Sequence, residues 1–154
     1  MTSKLEFSMP TVFQLANIEK ECFGKDAWSI NALISEFNNS FSHFFAYTID
    51  DKIVGYACVR IMYEEAQICN IAVLSEHRRK GIGTQLLQTL AAFATEQGCE
   101  RAELEVNVQN LPAVELYRKC GYKEEGIRKN FYRRTRYSSR DAYTMVLPLV
   151  TKAD

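Results

Sequence analysis

A strand, a glycine-spaced turn and a helix follow one another between Ala66 and Gly98, and this succession constrains the fold most strongly. The apolar run Ile68–Leu74, broken only by Asn70, predicts a buried strand. The turn that follows predicts a change of direction before a helix that ends at Gly98. Apolar residues recur on one face of that helix: Ile82, Leu86, Leu87, Leu90, Phe93 and Ala94.

The turn between this strand and helix has the features of an anion site. Backbone N–H groups at a helix start point toward a bound anion, and Gly81 and Gly83 allow close approach and positive φ. The basic run Arg78–Lys80 adds charge at the same place. The Walker motif is absent, and Leu86 stands where a dinucleotide fingerprint has its third glycine. We therefore expect this turn to bind the pyrophosphate of a carrier that neither of these two motifs recognises.

Composition favours one soluble cytoplasmic domain over residues 1–154. The 19 basic and 19 acidic residues cancel, so attraction to nucleic acid or an anionic membrane is not expected. No apolar stretch reaches the roughly 20 residues of a membrane span, and the polar N-terminus predicts no signal peptide. The five cysteines lack a Cys-x-x-Cys pair, which favours reduced thiols. The two histidines lie far apart, so no metal site is predicted.

The remaining pattern predicts an α/β fold with a mixed, mostly antiparallel sheet of about six to seven strands and helices on both faces. Two helices precede the strand–turn–helix unit, one opening at Pro10 and one capped by Ser29. A further helix runs from Pro112 to Gly121. Strands are predicted at Leu5–Met9, His43–Ile49, Ile53–Met62, Arg101–Val108, from Tyr122 onward and at Ala142–Val150.

The turn Arg78-x-x-Gly81-x-Gly83 resembles the acetyl-CoA loop of the GNAT family of N-acetyltransferases. Further motifs occur in that family's order and spacing, and the resemblance covers about Glu65 to Tyr122. It implies the GNAT fold and acetyl-CoA as cosubstrate. These motifs are Asn70-Ile71-Ala72-Val73, Leu104-Glu105-Val106, Asn110 and Leu116-Tyr117-x-x-x-Gly121-Tyr122.

The same resemblance assigns roles to individual residues. Glu105 becomes the base for the amine, although strand alternation alone would place it with Glu103 on a solvent face. Tyr117 becomes the acid for the leaving sulfur, although its spacing also suits a core aromatic residue. The resemblance implies cofactor contacts from Ile71, Ala72 and Val73, from Arg78, Arg79, Lys80, Gly81, Ile82, Gly83 and Thr84, and from Asn110, which could equally be a helix cap.

Segments outside this core resemble one branch, the bacterial ribosomal-protein-alanine N-acetyltransferases. They are Ala27-Trp28-Ser29, Arg128-Lys129-Asn130-Phe131-Tyr132 and Asp141-Ala142. The branch implies transfer to the N-terminal alanine of a ribosomal protein of the S18 type. The transfer would proceed by direct attack in a ternary complex, and we expect the protein to be a monomer or weak homodimer. Trp28 and Tyr132 would then line the acceptor groove. Acetylation of a small amine, and acyl-CoA binding without catalysis, remain open alternatives.

The segment from Arg128 to Arg140 is polar and strongly basic. It borders the expected substrate entrance and departs from the branch, since Arg140 stands where an acidic residue often precedes Asp-Ala. Two interpretations remain open at this stage. The segment is a solvated hairpin, or it forms a lip that prefers acidic or carboxylate-bearing acceptors.

Overall fold

The computed structural model describes residues 1–150, in which four α-helices and seven β-strands follow the predicted order closely. None of the helices in this range has the length and apolarity needed to cross a lipid bilayer. The helices are α1 (Met9–Phe23), α2 (Ile30–Phe37), α3 (Ile82–Glu96) and α4 (Leu111–Lys119). The strands are β1 (Thr2–Leu5), β2 (Ser42–Ile49), β3 (Lys52–Met62), β4 (Glu65–Val73), β5 (Arg101–Asn107), β6 (Lys123–Arg128) and β7 (Ala142–Pro148).

The strands form one sheet in the order β1-β2-β3-β4-β5-β7-β6. Within the described residues every neighbouring pair is antiparallel except β4 and β5, which run parallel. The helices divide between the two faces, α1 and α2 on one and α3 and α4 on the other. The predicted α/β class, with a mixed and mostly antiparallel sheet, is therefore confirmed.

Each face of the sheet has its own apolar core. On one face, Leu86, Leu87 and Leu90 of α3 are almost fully buried against the sheet. On the other, Leu15 of α1 and Leu33 of α2 are fully buried in a separate cluster. Burying one such side chain contributes about 1.5–3 kcal/mol. This packing fixes both helix layers against the strands between them.

The prediction of a strand at Leu5–Met9 is wrong in position. The strand is Thr2–Leu5, and Met9 already belongs to α1. The side chain of Ser8 accepts a hydrogen bond from the Thr11 amide (3.2 Å), which caps the helix and ends the extended segment early. The cap predicted at Ser29 is confirmed, since its hydroxyl accepts from the Ala32 amide (3.1 Å).

The five cysteines are free thiols, two of them buried and three half-buried. Cys58, Cys69 and Glu36 place potential ligand atoms within 4.8 Å of one another. The Glu36 carboxylate, however, already accepts two hydrogen bonds from Arg60 (2.8 and 2.7 Å) and one from Ser42. Those contacts occupy the oxygens that a cation would need.

Candidate active site

A gap opens in the middle of the sheet because β4 and β5 pair over only part of their length. Their ladder joins Glu65–Gln67 to Arg101–Glu103 and then stops. Beyond it, β4 continues to pair with β3 as far as Val73, while β5 pairs with β7 on its other edge along its whole length. A bulge between Cys58 and Val59 lies at the same level and increases the local twist. The result is a V-shaped cleft between Ile68–Val73 and Leu104–Asn107.

The start of α3 presents a row of free backbone donors at the wide end of the cleft. Gly81 caps the helix in the left-handed conformation (φ 80°), and the first helical bond runs from Gln85 to the Gly81 carbonyl. Arg79 also has positive φ (63°). Among residues 1–150, no acceptor binds the backbone amides of 79–84. Consecutive free amides at a helix start form an anion site.

The basic side chains before this helix have different environments. Arg78 turns back, donating from Nε to the Val73 carbonyl (2.9 Å) and from Nη2 to the Cys22 sulfur (3.4 Å). Arg79 and Lys80 are exposed to solvent. The guanidinium of Arg78 therefore fastens the turn to β4 and α1, and the amides remain as the anion donors of this segment.

The end of β4 is fixed from the other face of the sheet by a buried carboxylate. Glu19 is fully buried and accepts hydrogen bonds from the Tyr56 hydroxyl (2.9 Å), the Asn70 amide (2.8 Å) and the Trp28 backbone N–H (2.8 Å). Burial raises the pKa of Glu19. Asn70 in turn accepts from the Ile71 N–H (3.1 Å), so a ligand in the cleft would share or replace that contact.

Glu105 lies where the two central strands separate. Its carboxylate accepts from the side chain of Gln67 (2.7 Å), the last residue of β4 that pairs with β5. Arg128 lies 3.7 Å from the other carboxylate oxygen. Only 12% of the Glu105 side chain is exposed, so the solvent face that alternation alone would give this residue is wrong. Glu103 instead forms an ion pair with Arg101 (2.6 Å).

The two predicted tyrosines lie in different elements, Tyr117 on α4 and Tyr132 in the loop after β6. Tyr117 is 7% exposed and its ring packs edge-on against Tyr122. Burial, with a smaller effect of Tyr122 and Tyr132, raises the pKa of Tyr117, which therefore stays protonated at neutral pH. Burial and the nearby Glu105 charge raise the pKa of Tyr132 to about 12. Tyr132, like Tyr117, therefore stays protonated at neutral pH.

Asn110 and Trp28, two other predicted site residues, make contacts that have a structural role. Asn110 caps α4 by accepting from the Ala113 amide (3.4 Å). Trp28 lies half-buried in the connection between α1 and α2, packed against the α1–α2 core. The hydrogen bond from its backbone N–H to Glu19 links it through Asn70 to β4.

Sequence patterns missed three residues that shape the site. Gln67 binds Glu105, Arg128 approaches it, and Glu19 connects α1 to the end of β4. A glutamate on the apolar face of α1, three to four positions from Leu15 and Cys22, was the available signal for Glu19. The roles of Gln67 and Arg128 depend on strand register and had no signal of their own.

The family of the chain follows from its comparison with known proteins. A model described as the acetyltransferase (GNAT) family matches residues 12–122. The chain belongs to the GNAT family of acetyltransferases. GNAT enzymes take their acetyl group from acetyl-CoA. The matched range contains the cleft, the α3 turn and Tyr117, and it ends before the loop that carries Tyr132.

Similar GNAT proteins include bacterial and archaeal enzymes. The ribosomal protein bS18-alanine N-acetyltransferase of Escherichia coli K12 is 32% identical over 122 residues, covering 79% of this chain and 81% of its own. The N-alpha-acetyltransferase of Sulfurisphaera tokodaii is 36% identical, over 69% of each chain. The crystal structure of the Escherichia coli S18-alanine enzyme matches with a TM-score of 0.86 at 27% identity, over 100% of this chain and 97% of that one.

Proposed function

We propose that this GNAT protein transfers the acetyl group of acetyl-CoA to the N-terminal α-amine of a protein, with the alanine of a bS18-type ribosomal protein as its acceptor. The observation that carries the proposal is the gap where β4 and β5 separate, with the largely buried Glu105 carboxylate at its branch point and the free amides of residues 79–84 at its wide end. The names of similar enzymes support a protein N-terminus as acceptor. The whole chain, residues 1–154, would act as one domain.

The donor would lie along the cleft with its diphosphate at the start of α3. Free amides from Arg79 to Thr84 suit the phosphate charges. The edge of β4 at Ile71–Val73 would pair with the pantetheine arm and polarise the thioester carbonyl. Asn110 stands where the cleft meets α4 and would contact the same arm.

The transfer itself needs two proton movements. Glu105 would remove the proton from the attacking ammonium group, since it is a half-buried carboxylate whose polar contacts within residues 1–150 are with Gln67 and Arg128. Tyr117 would give its proton to the departing sulfur, because burial keeps the phenol protonated. Direct attack within a ternary complex needs no further nucleophile. Tyr132 and Trp28 would line the path of the acceptor.

The basicity of amines favours an N-terminus over a lysine side chain. An α-amine has a reference pKa of about 7.7–8.0, against about 10.4 for lysine. At about 1.36 kcal/mol per pKa unit, deprotonating the α-amine at neutral pH costs roughly 3–4 kcal/mol less. A single carboxylate base such as Glu105 is sufficient for that smaller task.

The proposal is tested by measuring thiol release from acetyl-CoA with an alanine-starting ribosomal peptide and with a panel of polyamines, amino acids and aminoglycosides. We expect turnover with the peptide and none with the same peptide already blocked at its α-amine. Glu105→Gln should reduce kcat by at least about a hundredfold while the protein still binds coenzyme A. Turnover confined to small amines would replace the proposal with the small-molecule alternative, and coenzyme A binding without turnover would favour a non-catalytic role.

A further inference from the structure

Two of the five cysteines face each other across the middle of the sheet. Cys58 on β3 and Cys69 on β4 place their sulfur atoms within 4.8 Å of one another. Both side chains pack in the core under α1 and α2. Their contact depends on the register of the two strands. The fold therefore brings together two thiols that form no Cys-x-x-Cys motif in the sequence.

The β-bulge in β4 is the reason that the two thiols lie on the same face. Cys58 pairs with Asn70 and Val59 pairs with Ile68, so Cys69 is the additional residue of the bulge. Ile68 packs under α3, whereas Cys69 and Asn70 both lie on the side of α1. Residues opposed in an antiparallel ladder have Cα atoms about 4.5–5.5 Å apart, within the range of about 4.4–6.8 Å that a disulfide bridges. The bulge thus places Cys58 and Cys69 within reach of a disulfide bond.

The two thiols differ in access and in acidity. Cys58 is fully buried, whereas Cys69 is half-buried. Hydrogen bonding with Cys58 lowers the pKa of Cys69, against the opposing effect of burial. The same hydrogen bond, together with burial, raises the pKa of Cys58. Cys69 is therefore the thiol that ionises first and meets an oxidant from solvent, and Cys58 is placed to react with it afterwards.

Cys69 also adjoins the residues that shape the cleft. Its thiol donates to the Gln67 carbonyl (3.5 Å), and the Gln67 side chain binds the Glu105 carboxylate (2.7 Å). The next residue, Asn70, accepts from the Ile71 N–H at the start of the proposed donor edge. A disulfide would remove the thiol hydrogen bond to Gln67 and draw the bulge toward β3, because bonded sulfur atoms lie about 2.05 Å apart. The strand segment that follows would move with the bulge.

We propose that Cys58 and Cys69 are a site of oxidative modification, at which a small disulfide such as oxidised glutathione converts the two thiols into an intramolecular disulfide that weakens the binding of acetyl-CoA. The disulfide itself depends only on the geometry of β3 and β4. Its effect on acetyl-CoA rests on the proposed function, because it requires the donor to lie along Ile71–Val73.

The modification proceeds by two thiol–disulfide exchanges. Cys69 loses its proton and its thiolate attacks one sulfur of oxidised glutathione, which forms a mixed disulfide and releases one glutathione thiolate. The Cys58 thiol then loses its proton and attacks the Cys69 sulfur, which forms the Cys58–Cys69 bond and releases the second glutathione. Two electrons pass from the protein to the oxidant, and the two protons end on the released glutathione thiols.

Mass spectrometry of the native chain, incubated with oxidised glutathione and then digested, tests the modification. We expect a peptide that contains the Cys58–Cys69 linkage and has lost two hydrogen atoms. Cys58→Ala should stop the reaction at the mixed disulfide on Cys69, whereas Cys69→Ser should prevent the linkage and leave no adduct on Cys58. Cys120→Ser is the matched control and should leave the linkage intact, because Cys120 is also half-buried but packs on the other face of the sheet. A thermal melt of each variant checks its folding.

Calorimetry with acetyl-CoA, which carries no free thiol, tests the effect on the donor. We expect the dissociation constant of the oxidised chain to exceed that of the reduced chain by about fivefold or more, as is usual for coupling between two sites. Dithiothreitol, removed before the titration, should restore the affinity of the native chain, and this test does not depend on how the variants fold. By reciprocity, saturating acetyl-CoA should make the disulfide less favourable by the same factor in a glutathione redox buffer.

The remaining outcomes contradict the proposal in distinguishable ways. A glutathione adduct that persists on Cys69 in the native chain, or a linkage that involves Cys22, would overturn the assigned pair. A Cys58–Cys69 disulfide that leaves the affinity for acetyl-CoA unchanged or increases it would overturn the effect on the donor, while the proposed function stands. No heat with acetyl-CoA in the reduced chain would remove the proposed donor site and, with it, the effect of the disulfide.

Discussion

The two sides of the cleft are built in different ways. The donor side is one continuous segment, in which β4, the turn and α3 follow directly in sequence. The acceptor side joins Lys25–Trp28 to the loop after β6, and the contact between Asp26 and Arg136 spans 110 positions. In the proposed function, backbone amides would bind the donor and side chains would bind the acceptor. Backbone strain should therefore affect acetyl-CoA, and side-chain loss should affect the acceptor.

The largest effect is expected at Tyr117, the proposed acid. Tyr117→Phe removes the phenolic proton and should reduce kcat by about a hundredfold or more, with the affinity for acetyl-CoA unchanged. Steady-state kinetics and calorimetry with coenzyme A provide the two readouts. Unchanged kcat would remove Tyr117 from the reaction.

Tyr122→Phe is the matched control for that substitution. The Tyr122 hydroxyl is buried and has no hydrogen-bond partner among residues 1–150, and its ring packs against Tyr117. Because a buried hydroxyl without a partner costs about 1–3 kcal/mol, removing it should raise the melting temperature and leave kcat unchanged. A loss of activity equal to that of Tyr117→Phe would indicate a packing effect common to both rings.

The next largest effect is expected for the glycine before α3, and a second glycine with the same conformation serves as its control for stability. Gly81 and Gly98 flank α3, both with positive φ (80° and 86°) and open space where a Cβ would stand. Alanine at either position should cost about 1 kcal/mol of stability. Only Gly81→Ala should raise the KM for acetyl-CoA, by about five- to tenfold, because it displaces the free amides. Equal kinetics for the two variants would contradict the role of the α3 start.

A smaller and opposite pattern is expected on the acceptor side. Arg136→Ala removes the contacts with Cys22 and Phe23 that hold the loop, and should raise the KM for the peptide about fivefold through loss of preorganisation. The KM for acetyl-CoA should stay unchanged. Arg118→Ala, which breaks an exposed ion pair with Glu124, should change neither constant. A rise in both constants for Arg136→Ala would show that the two sides are coupled.

The same contrast explains what the sequence predicts and what it does not. Gly81 and Gly83 predict the donor side because a strand, a turn and a helix that adjoin in sequence also adjoin in space. The element order and the Ser29 cap are local in the same sense, and they agree with the structure. The predicted position of the first strand is wrong because Ser8, rather than the residues after it, caps α1.

Contacts between distant segments carry no comparable signal. Glu105 could be placed only through its likeness to a family motif, since alternation by itself indicated a solvent-facing strand. Its partner Gln67 depends on the register at which β4 and β5 stop pairing. The basic run after β6 was ambiguous because its anchor, Arg136, meets α1 residues more than a hundred positions away.

The smallest effect is expected for the Glu36–Arg60 ion pair, and it concerns stability. It tests whether this pair is independent of the proposed site. Hydrogen bonds from Arg60 lower the pKa of Glu36 below its ordinary 4.5. The unfolded state therefore takes up a proton before the native state does, so this pair's contribution is present above about pH 4.5 and is lost as the pH falls through the lowered pKa. Glu36→Gln should remove this pH dependence, at a cost on the order of 1 kcal/mol or less after solvent screening.

Glu19 should act in the opposite direction. Burial raises its pKa, so its contribution favours folding at low pH and is lost as the pH rises above 4.5 toward the raised value. Denaturant unfolding across the acid range measures both trends. An effect of Glu36→Gln on kcat would show that the Glu36–Arg60 pair also influences the proposed site.

We propose that acetyl-CoA lies between β4 and β5, with its diphosphate on the amides before and within the first turn of α3. A crystal structure of the chain with coenzyme A tests it most directly. We expect phosphate oxygens within hydrogen-bond distance of amides in the range 79–84, and the pantetheine arm paired with Ile71–Val73. Coenzyme A bound on any other surface, with the β4–β5 gap empty, would contradict it.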